Sequence, residues 1–574
     1  MTVNGANLSV LSPKRGAASA RAASRVLTST LADAAILRFF FLNVKSVLQL
    51  TAAMKCTYRL LLNLNIDATI SSCRRTTRAV TELFDAEVHD EYPDHHPIRR
   101  PTGQGRHGER GTCMKPELAD AEPRPVWWDT LPTGPRSDGL IGAVGADLVI
   151  VGAGYTGLWA AIEALTADPA RDVVVLEQQW VGSGASGRNG GFVSESLTHG
   201  IAHGTALWPD ELDELQRLGR ENVSQIADFV AAHGIDADLR MVGKTTLART
   251  EHQVAALREA ADAHARRGEK VEFLDRNEVR ADIASPVFLA GLRSHSGGLV
   301  DPMALVQGLR RAAETLGARV FEQTAATGIS RRGATLVVQT ERGEVRTEGH
   351  VLLASNAYPP LLRRLRAWVL PVYDYVLATE PLTTDQLASL GWEQNQGLTD
   401  AGNQFHYFRR TRDDRILWGG YDAVYHFGNR VAPELEQRDA SHRLLARHFR
   451  ETFPQLADVR FTHRWGGVID TTTRFTPIFG TGYGGRVAYA VGFTGLGVAS
   501  TRFGARVALD LLAKRDTERT RLKAITGMAV PFPPEPLRWP AVGITRAALA
   551  REDETGRRGT LLRVLDRFGV GFNS

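Results

Sequence analysis

The stretch ADLVIVGAGYTGLWAAIEALTADPARDVVVLEQQWVGSGASGRNGGF, residues 146–192, decides the fold. It opens with the apolar run LVIV at 148–151, which is typical of a strand buried on both faces. Gly152, Gly154 and Gly157 follow at once in GxGxxG spacing. In such a turn the first glycine allows the tight bend, the second lets the backbone approach a pyrophosphate, and the third lets a helix pack on the strand. This pattern predicts a dinucleotide-binding unit.

The residues after the glycine turn complete a βαβ unit. A helical pattern of apolar residues begins near Tyr155, so the N–H groups and the positive dipole end of this helix would face the phosphates. A second apolar run, 173–176, ends in Glu177, which is placed to accept a hydrogen bond from a ribose hydroxyl. An acid at this position argues against a 2′-phosphate and favours a bare adenosine ribose over that of NADP.

A second glycine-rich turn, GSGASGRNGG at 182–191, favours FAD over NAD. Its successive N–H groups can follow a ligand that extends well past a pyrophosphate, which an NAD site does not require. The turn contributes five predicted cofactor-binding residues: Ser186, Arg188, Asn189, Gly190 and Gly191.

On these residues the sequence resembles the FAD-dependent amine and amino-acid oxidoreductases of the D-amino-acid oxidase/glycine oxidase superfamily. It is most similar to the gamma-glutamylputrescine oxidoreductase branch, whose members carry a GxGASGRNGG turn after the ribose acid. The resemblance extends from about Pro123 to the C-terminus. It implies that Ala326 would contact the adenine through its backbone and that residues 354–356 would close over the dinucleotide.

The resemblance implies a mixed α/β fold, in which a doubly wound GxGxxG FAD-binding domain is interrupted by a mixed, mostly antiparallel β-sheet substrate domain. A chain of 574 residues can hold these two domains and an additional segment. The expected boundaries are an N-terminal extension at 1–113, FAD-binding parts at 114–240, 301–365 and 456–515, substrate-domain parts at 241–300 and 366–455, and a C-terminal segment at 516–574 that packs on the core.

A strand–glycine turn–helix pattern occurs again near the end of the chain. The run VAYAV at 487–491 predicts a strand, and a helix is expected to reach about Lys514. The N-terminus of that helix can face the pyrimidine end of the isoalloxazine, where negative charge develops on reduction. The predicted cofactor-binding residues here are Gly492, Thr494, Gly495, Gly497 and Val498.

Cysteine usage bears on how the flavin is held. All three cysteines, Cys56, Cys73 and Cys113, precede residue 114, so the remainder of the chain offers no thiol for a disulfide or a flavin tether. The second glycine-rich turn contains no histidine either. We therefore expect non-covalent FAD, and the cysteine distribution fits a cytoplasmic enzyme.

The basic charge of the chain is concentrated in the N-terminal segment. Residues 1–113 hold 15 Lys+Arg and 9 Asp+Glu, which leaves 54 and 55 of the total 69 and 64 for the rest. The rest of the chain thus gives no electrostatic case for nucleic-acid binding. The most hydrophobic portion, 37–54, is interrupted by Arg38 and Lys45, so a membrane span is not expected.

Residues 1–113 are expected to be an appended and largely disordered tail, or an artefact of a start codon chosen upstream of Met114. Their first 32 residues lack acids and are rich in Ser and Ala, so a targeting sequence is the alternative. Mass analysis of the natively expressed protein distinguishes these readings.

The resemblance implies oxidation of a C–N bond to an imine by hydride transfer to flavin N5, with an amine or amino acid as substrate. The amine must react in its neutral form, which a desolvating aromatic cavity favours. Tyr373, Tyr375, Tyr407 and Trp465 are candidates to line that cavity, with packing as the alternative role. Arg409, Arg410 or Arg474 could bind a substrate carboxylate, although a solvated surface position is the simpler interpretation of each. Lys244 could lie near the flavin and assist its reaction with oxygen. No metal site is expected, because the histidines are scattered.

Three alternatives stay open at this stage. Electrons could pass to O2, giving H2O2, or to a carrier or quinone, which would make the enzyme a dehydrogenase. A flavin-binding module of an RNA-modifying enzyme would need a basic groove, and the nearly balanced charge of the residues after 113 argues against one. A non-catalytic protein that retains only the fold would purify without colour.

Overall fold

The two apolar runs that flank the GxGxxG turn are adjacent parallel strands in the computed structural model of the protein. The structure describes residues 118–130, 134 and 136–571. The expected N-terminal extension, 1–113, and its three cysteines lie outside these residues.

The strands in the described residues are, in chain order, β1 (Gly142–Gly145), β2 (Leu148–Val151), β3 (Val173–Leu176), β4 (Phe192–Val193), β5 (Lys244–Ala248), β6 (Val271–Leu274), β7 (Ala290–Ser294), β8 (Gly298–Leu299), β9 (Arg319–Phe321), β10 (Ala326–Arg332), β11 (Thr335–Thr340), β12 (Gly343–Thr347), β13 (His350–Leu353), β14 (Leu370–Thr379), β15 (Gly397–Asp400), β16 (His406–Arg410), β17 (Ile416–Gly420), β18 (Val424–Tyr425), β19 (Phe461–Thr471), β20 (Ile478–Gly482) and β21 (Val487–Val491).

The α-helices in the same residues are α1 (Tyr155–Ala167), α2 (Ile201–Leu207), α3 (Leu212–Ala232), α4 (Glu251–Arg266), α5 (Arg276–Asp282), α6 (Pro302–Thr315), α7 (Thr384–Leu390), α8 (Asp439–Thr452), α9 (Gly497–Leu512), α10 (Glu518–Arg521), α11 (Lys523–Thr526), α12 (Arg538–Thr555) and α13 (Thr560–Asp566).

A six-stranded sheet carries the GxGxxG turn, which follows β2, and the glycine turn at Gly492, which follows β21. Its order is β20-β21-β13-β2-β3-β9, and every pairing is parallel except that of β20 with β21. The four residues of β2 and the four of β3 are all buried, as their uninterrupted apolar runs predict. Helices α1, α6 and α9 pack together on this sheet. This is the doubly wound domain expected from the sequence.

A nine-stranded, mostly antiparallel sheet forms the second layer. Its path is β18-β14-β17-β16-β15-β5-β7-β6, and β19 pairs with the other edge of β14 along almost its whole length. Smaller sheets complete the fold: β1-β12-β11-β10, which contains the hairpin of residues 335–347, and the pair β4-β8.

The architecture confirms the predicted α/β class with an inserted, mostly antiparallel sheet. One boundary is wrong: β19 belongs to the nine-stranded sheet, although the substrate domain was expected to end at residue 455. The sequence analysis also missed α12, because its apolar residues do not follow one face of the helix. Among residues 136–571, none of the helices combines the length and the apolar character that crossing a membrane requires.

We expect Gly157→Ala to weaken the contact between α1 and β2. A Cβ atom at Gly157 would lie 1.9 Å from the carbonyl oxygen of Gly152 and 3.1 Å from Cγ2 of Ile150, so the helix must move. The expected loss is about 3 kcal/mol in the free energy of unfolding, together with loss of bound dinucleotide. Denaturant midpoints and retained cofactor measure both effects.

Gly145→Ala is the matched control, because no atom lies within 4 Å of a Cβ built there. Its stability should match the wild type within about 0.5 kcal/mol. Equal stability of the Gly157→Ala and wild-type proteins would contradict the close contact.

Candidate active site

One cavity of about 2220 Å³ lies at the carboxyl ends of the central parallel strands. Val151, Leu176 and Ala354, which end or directly follow β2, β3 and β13, line it together with residues of the nine-stranded sheet. Open α/β sheets bind their ligands at such a crevice.

The N-terminus of α1 faces this cavity, and its N-cap residue supplies no capping side chain. Its N-cap residue, Gly154, has extended backbone dihedrals and lines the cavity beside Thr156. Gly152 has φ +103°, and a Cβ there would lie 2.6 Å from the carbonyl oxygen of Ala354. Gly157 does not line the cavity; it is the packing glycine of the turn. The first-turn N–H groups and the helix dipole therefore offer a site for an anion.

Glu177 lies on the cavity wall at the end of β3. Its carboxylate accepts hydrogen bonds from the N–H groups of Ala153, at 2.9 Å, and Gln179, at 3.1 Å. Burial raises the pKa of this carboxyl. These bonds fix the carboxylate beside the first glycine turn, where it can accept a hydrogen bond from a ribose hydroxyl.

Side chains of the second glycine-rich turn hold the turn itself. Asn189 Oδ1 accepts from Gly191 N at 2.8 Å, and Ser186 Oγ accepts from Tyr155 N at 2.9 Å. The Arg188 guanidinium donates to Ser183 O at 2.6 Å and pairs with Glu436 at 2.7 Å. All five predicted residues of this turn line the cavity. Arg188 thus links the turn to the substrate domain.

A second helix N-terminus, that of α9, meets the same cavity. It also lacks a side-chain cap. Of the residues predicted here, Thr494, Gly495, Gly497 and Val498 line the cavity, whereas Gly492 lies behind them. Ala326 and residues 354–356 line the cavity as well.

Asp470, at the end of β19, anchors the turn that precedes α9. Its carboxylate accepts from Gly492 N at 2.5 Å and from Phe493 N at 3.2 Å, and its backbone oxygen accepts from Thr494 N at 3.1 Å. Burial raises the pKa of Asp470 to about 7. The sequence analysis missed this residue, because nothing in the local pattern links residue 470 to a turn 22 positions later.

The sheet wall of the cavity carries a hydrogen-bonded acid–phenol pair. Tyr407 Oη donates to Asp374 Oδ2 at 2.6 Å, and both residues line the cavity. Burial raises the pKa of Asp374 to about 6 and that of Tyr407 well above its ordinary value. Lys244 lines the same wall, and Glu195 interacts with it electrostatically. Tyr407 and Lys244 are among the candidate site residues named from the sequence, whereas Asp374 and Glu195 are not.

His199 is a further cavity residue that sequence reasoning missed. It has φ +57°, its ring lies edge-on to Phe475 with centroids 6.3 Å apart, and it bonds to the backbone of Thr494. Burial, aided by the neighbouring His203, lowers the pKa of His199 to about 3, so the imidazole is neutral.

The aromatic face of the nine-stranded sheet points away from the cavity, contrary to expectation. Tyr373, Tyr375 and Trp465 do not line it. The hydroxyl of Tyr375 donates to Leu435 O at 2.9 Å, and its ring meets that of His442 on α8. Side chains alternate along β14, so Asp374 faces the cavity and the tyrosines face α8.

The three arginines considered as carboxylate ligands are engaged elsewhere, and their predicted surface positions are also wrong. Arg409 is fully buried and donates to Val300 O at 2.6 Å. Arg474 is buried and donates to the backbone oxygens of Gly527 and Ala524, both at 2.9 Å. Arg410 is partly buried and pairs with Asp414 at 2.5 Å. None of the three lines the cavity.

In the described part of the chain, one group places three potential metal ligands within 4.8 Å of one another: Glu122, Asp129 and His463. Arg124 pairs with both carboxylates at 2.6 Å. This guanidinium already supplies a cation to the group, which accounts for the clustered acids.

The cavity fits an extended dinucleotide. It receives two helix N-termini whose N-cap residues supply no capping side chain, one after the GxGxxG turn and one after the turn at Gly492. A carboxylate lies beside each of these two turns, Glu177 and Asp470. The pyrophosphate of such a ligand carries negative charge, which a helix N-terminus stabilises.

Comparison with known proteins agrees with this geometry. A family model described as "FAD dependent oxidoreductase" (DAO) matches residues 147–511. The chain therefore belongs to the DAO family, and the predictions of FAD and of an oxidoreductase are confirmed.

The gamma-glutamylputrescine oxidoreductase of Escherichia coli K12 is 34% identical over 392 residues, which are 67% of this chain and 87% of the relative. The sarcosine oxidase subunit beta of Rhodobacter capsulatus is 23% identical over 347 residues, 58% of this chain and 76% of the relative. Glycine oxidase from Geobacillus kaustophilus shares the fold, with a TM-score of 0.55, 21% identity, and coverage of 65% of this chain and 96% of that one.

We expect Asp470→Asn to change the pH dependence of stability. The folded pKa of Asp470 is raised to about 7, so the folded state favours the protonated carboxyl. Wild-type stability is therefore lost as the pH rises from the ordinary carboxyl range through about 7, and the Asn variant lacks this loss. Relative to wild type, the variant should gain stability between pH 5 and pH 8, as measured by denaturant midpoints.

Asp458→Asn, at an exposed position, is the control and should follow the wild-type pH profile. Parallel pH profiles of the wild-type and Asp470→Asn proteins would contradict the buried, raised carboxyl.

Proposed function

We propose that the enzyme oxidises the C–N bond of an amine that carries no carboxylate beside the reacting carbon. The amine is converted to an imine, which water hydrolyses, and O2 is reduced to H2O2. One observation carries the choice of an amine over an amino acid: among the described residues, no arginine of either large sheet lines the cavity.

The relatives support oxidation of C–N bonds but differ in substrate. The Escherichia coli relative is named for gamma-glutamylputrescine, a putrescine derivative. Solved structures of similar fold include glycine oxidase and an L-proline dehydrogenase from P. horikoshii. Both amines and amino acids are thus represented, and the choice between them depends on this chain's own residues.

An α-amino acid needs a cation for its carboxylate next to the reacting carbon. The arginines on the cavity wall are Arg188, which pairs with Glu436, and four that lie on or at the end of helices α3, α4 and α12: Arg220, Arg266, Arg267 and Arg546. The wall formed by the nine-stranded sheet instead carries Asp374, which favours a cationic ligand such as an ammonium group. Among the described residues, Lys244 is the one lysine or arginine on this wall, and Glu195 interacts with it electrostatically.

Asp374 and Tyr407 supply the proton chemistry of this proposal. The chemistry that FAD supplies when bound is acceptance of a hydride from the carbon next to the amine nitrogen. The nitrogen must first lose a proton, and a carboxylate with a pKa of about 6 is mostly ionised at pH 7 and can take it up. The Tyr407 hydroxyl holds that carboxylate in place at 2.6 Å.

The choice of O2 over a carrier or quinone is supported by Lys244. Among the described residues that line the cavity it is the one lysine, and a cation there stabilises the negative charge that develops as O2 is reduced. Desolvation inside the cavity lowers the pKa of this ammonium group.

We also propose that FAD is bound without a covalent link, because the described cavity wall contains no cysteine. All three cysteines of the chain precede residue 114, and this distribution supports a cytoplasmic location.

The proposal is tested with a substrate panel and peroxide detection. Unbranched primary amines should reduce the flavin anaerobically and yield one H2O2 per imine under air. Glycine, proline and the α-amino acids that match the amines in length should be at least about 100-fold poorer in kcat/KM, since an unpaired carboxylate must be desolvated. Preference for the amino acids would contradict the proposal.

Lys244→Met tests the acceptor. The rate constant for reaction of the reduced enzyme with O2 should fall at least about tenfold, while anaerobic reduction by the amine changes little. Stopped-flow absorbance separates the two steps. Lys270→Met, at an exposed position, serves as control. If wild-type enzyme reacts slowly with O2 but rapidly with a quinone, the dehydrogenase alternative holds instead.

A further inference from the structure

Helix α12, near the C-terminus, forms the outer wall of the cavity. Ala541, Val542, Thr545 and Leu549 line it. Their spacing of one, three and four positions places them on one face of the helix. The same four residues are half-buried, whereas Gly543, Ile544 and Ala547 on the other side are exposed.

Both ends of α12 are fixed to the nine-stranded sheet. Ahead of the helix, Glu535 accepts from the hydroxyl of Tyr425 at 2.5 Å and from Gly428 N at 3.0 Å. In its last turn, Asp553 accepts from the N–H groups of Asn403 and Gln404, both at 2.8 Å. These contacts hold the helix across the cavity at a set distance from the sheet.

The wall opposite α12 continues directly from the acid–phenol pair. Asp374 interacts with the backbone of Gly420, and the next residue, Tyr421, lines the cavity. Tyr421 has φ +66°, and its ring stacks on the buried ring of His406 with centroids 4.9 Å apart. The cavity wall beside Asp374 therefore continues through the backbone of Gly420 to Tyr421.

The cavity face of α12 is uncharged apart from one residue. Arg546 also lines the cavity, is exposed, and pairs with Asp422 at 3.3 Å. The side chains that a ligand would meet are otherwise methyl, isopropyl, isobutyl and hydroxyethyl groups. Such a surface binds alkyl chains by removing apolar area from water.

We propose that this face of α12 binds the tail of the amine substrate and that it selects an uncharged alkyl tail. The inference rests on the proposed function, because it places the reacting nitrogen at Asp374. A short amine held at Asp374 leaves the space before α12 to water, whereas a longer tail fills it.

The test uses the FAD-loaded enzyme and unbranched 1-aminoalkanes with four to ten carbon atoms. Binding is followed anaerobically through the flavin spectrum and turnover through H2O2. In the wild type, affinity and kcat/KM should rise about fourfold with each added methylene group until the space is filled. Thr545→Trp should reduce the affinity for the longest amines by roughly 15-fold, the effect of two buried methylene groups, and leave the shortest nearly unchanged.

Ala547→Trp, on the exposed side of α12, is the matched control and should reproduce the wild-type length profile. Ala541→Leu is a second cavity-side variant, which tests the same wall with a smaller change if Thr545→Trp does not fold. An unchanged length profile in the cavity-side variants would overturn the inference. Length-dependent binding without turnover would instead contradict the proposed function and leave the tail site supported.

Discussion

An α-helix leaves the N–H groups of its first turn without partners inside the helix, and this protein directs two such ends at one cavity. Helix α1 follows the GxGxxG turn and α9 follows the turn at Gly492, and in neither helix does the N-cap residue supply a capping side chain. Ser186 takes up the N–H of Tyr155 in α1, and an anionic ligand can take the place of a cap for the N–H groups that remain. The glycines, Glu177 and Asp470 all serve to bring the two helix ends to that ligand.

Strand β19 connects the two functional layers. It pairs with β14 in the substrate sheet, and its last residues, including Asp470, bind the turn of the flavin sheet that precedes α9. Arg188 makes a second connection, from the glycine-rich turn to Glu436. These links fix the substrate sheet to the turns of the cofactor site through hydrogen bonds and an ion pair.

The sequence pattern predicts the two helix N-termini that face the cavity because its signals are local. Strand, turn, helix and acid follow one another within residues 148–177, and a second strand–turn–helix pattern lies at 487–512. The substrate half depends on pairings between distant strands. Side chains of β14 alternate, so a shift of one residue exchanges Tyr375 for Asp374 at the cavity, and the aromatic composition of the strand favoured the wrong face.

Long-range contacts also explain why the positions of the arginines could not be predicted from the sequence. Arg474 binds backbone oxygens some 50 residues later in the chain, and no local pattern reveals such partners. The doubly wound sheet, in contrast, follows from apolar runs and glycine turns that the sequence displays.

The absorption spectrum of the purified protein, before and after acid precipitation, tests the central claim most directly. The account predicts a yellow protein with one FAD per chain, which acid releases completely into the supernatant. Flavin that stays with the precipitate would contradict non-covalent binding. A colourless protein that also fails to take up added FAD would contradict the assignment of the two helix ends to the dinucleotide.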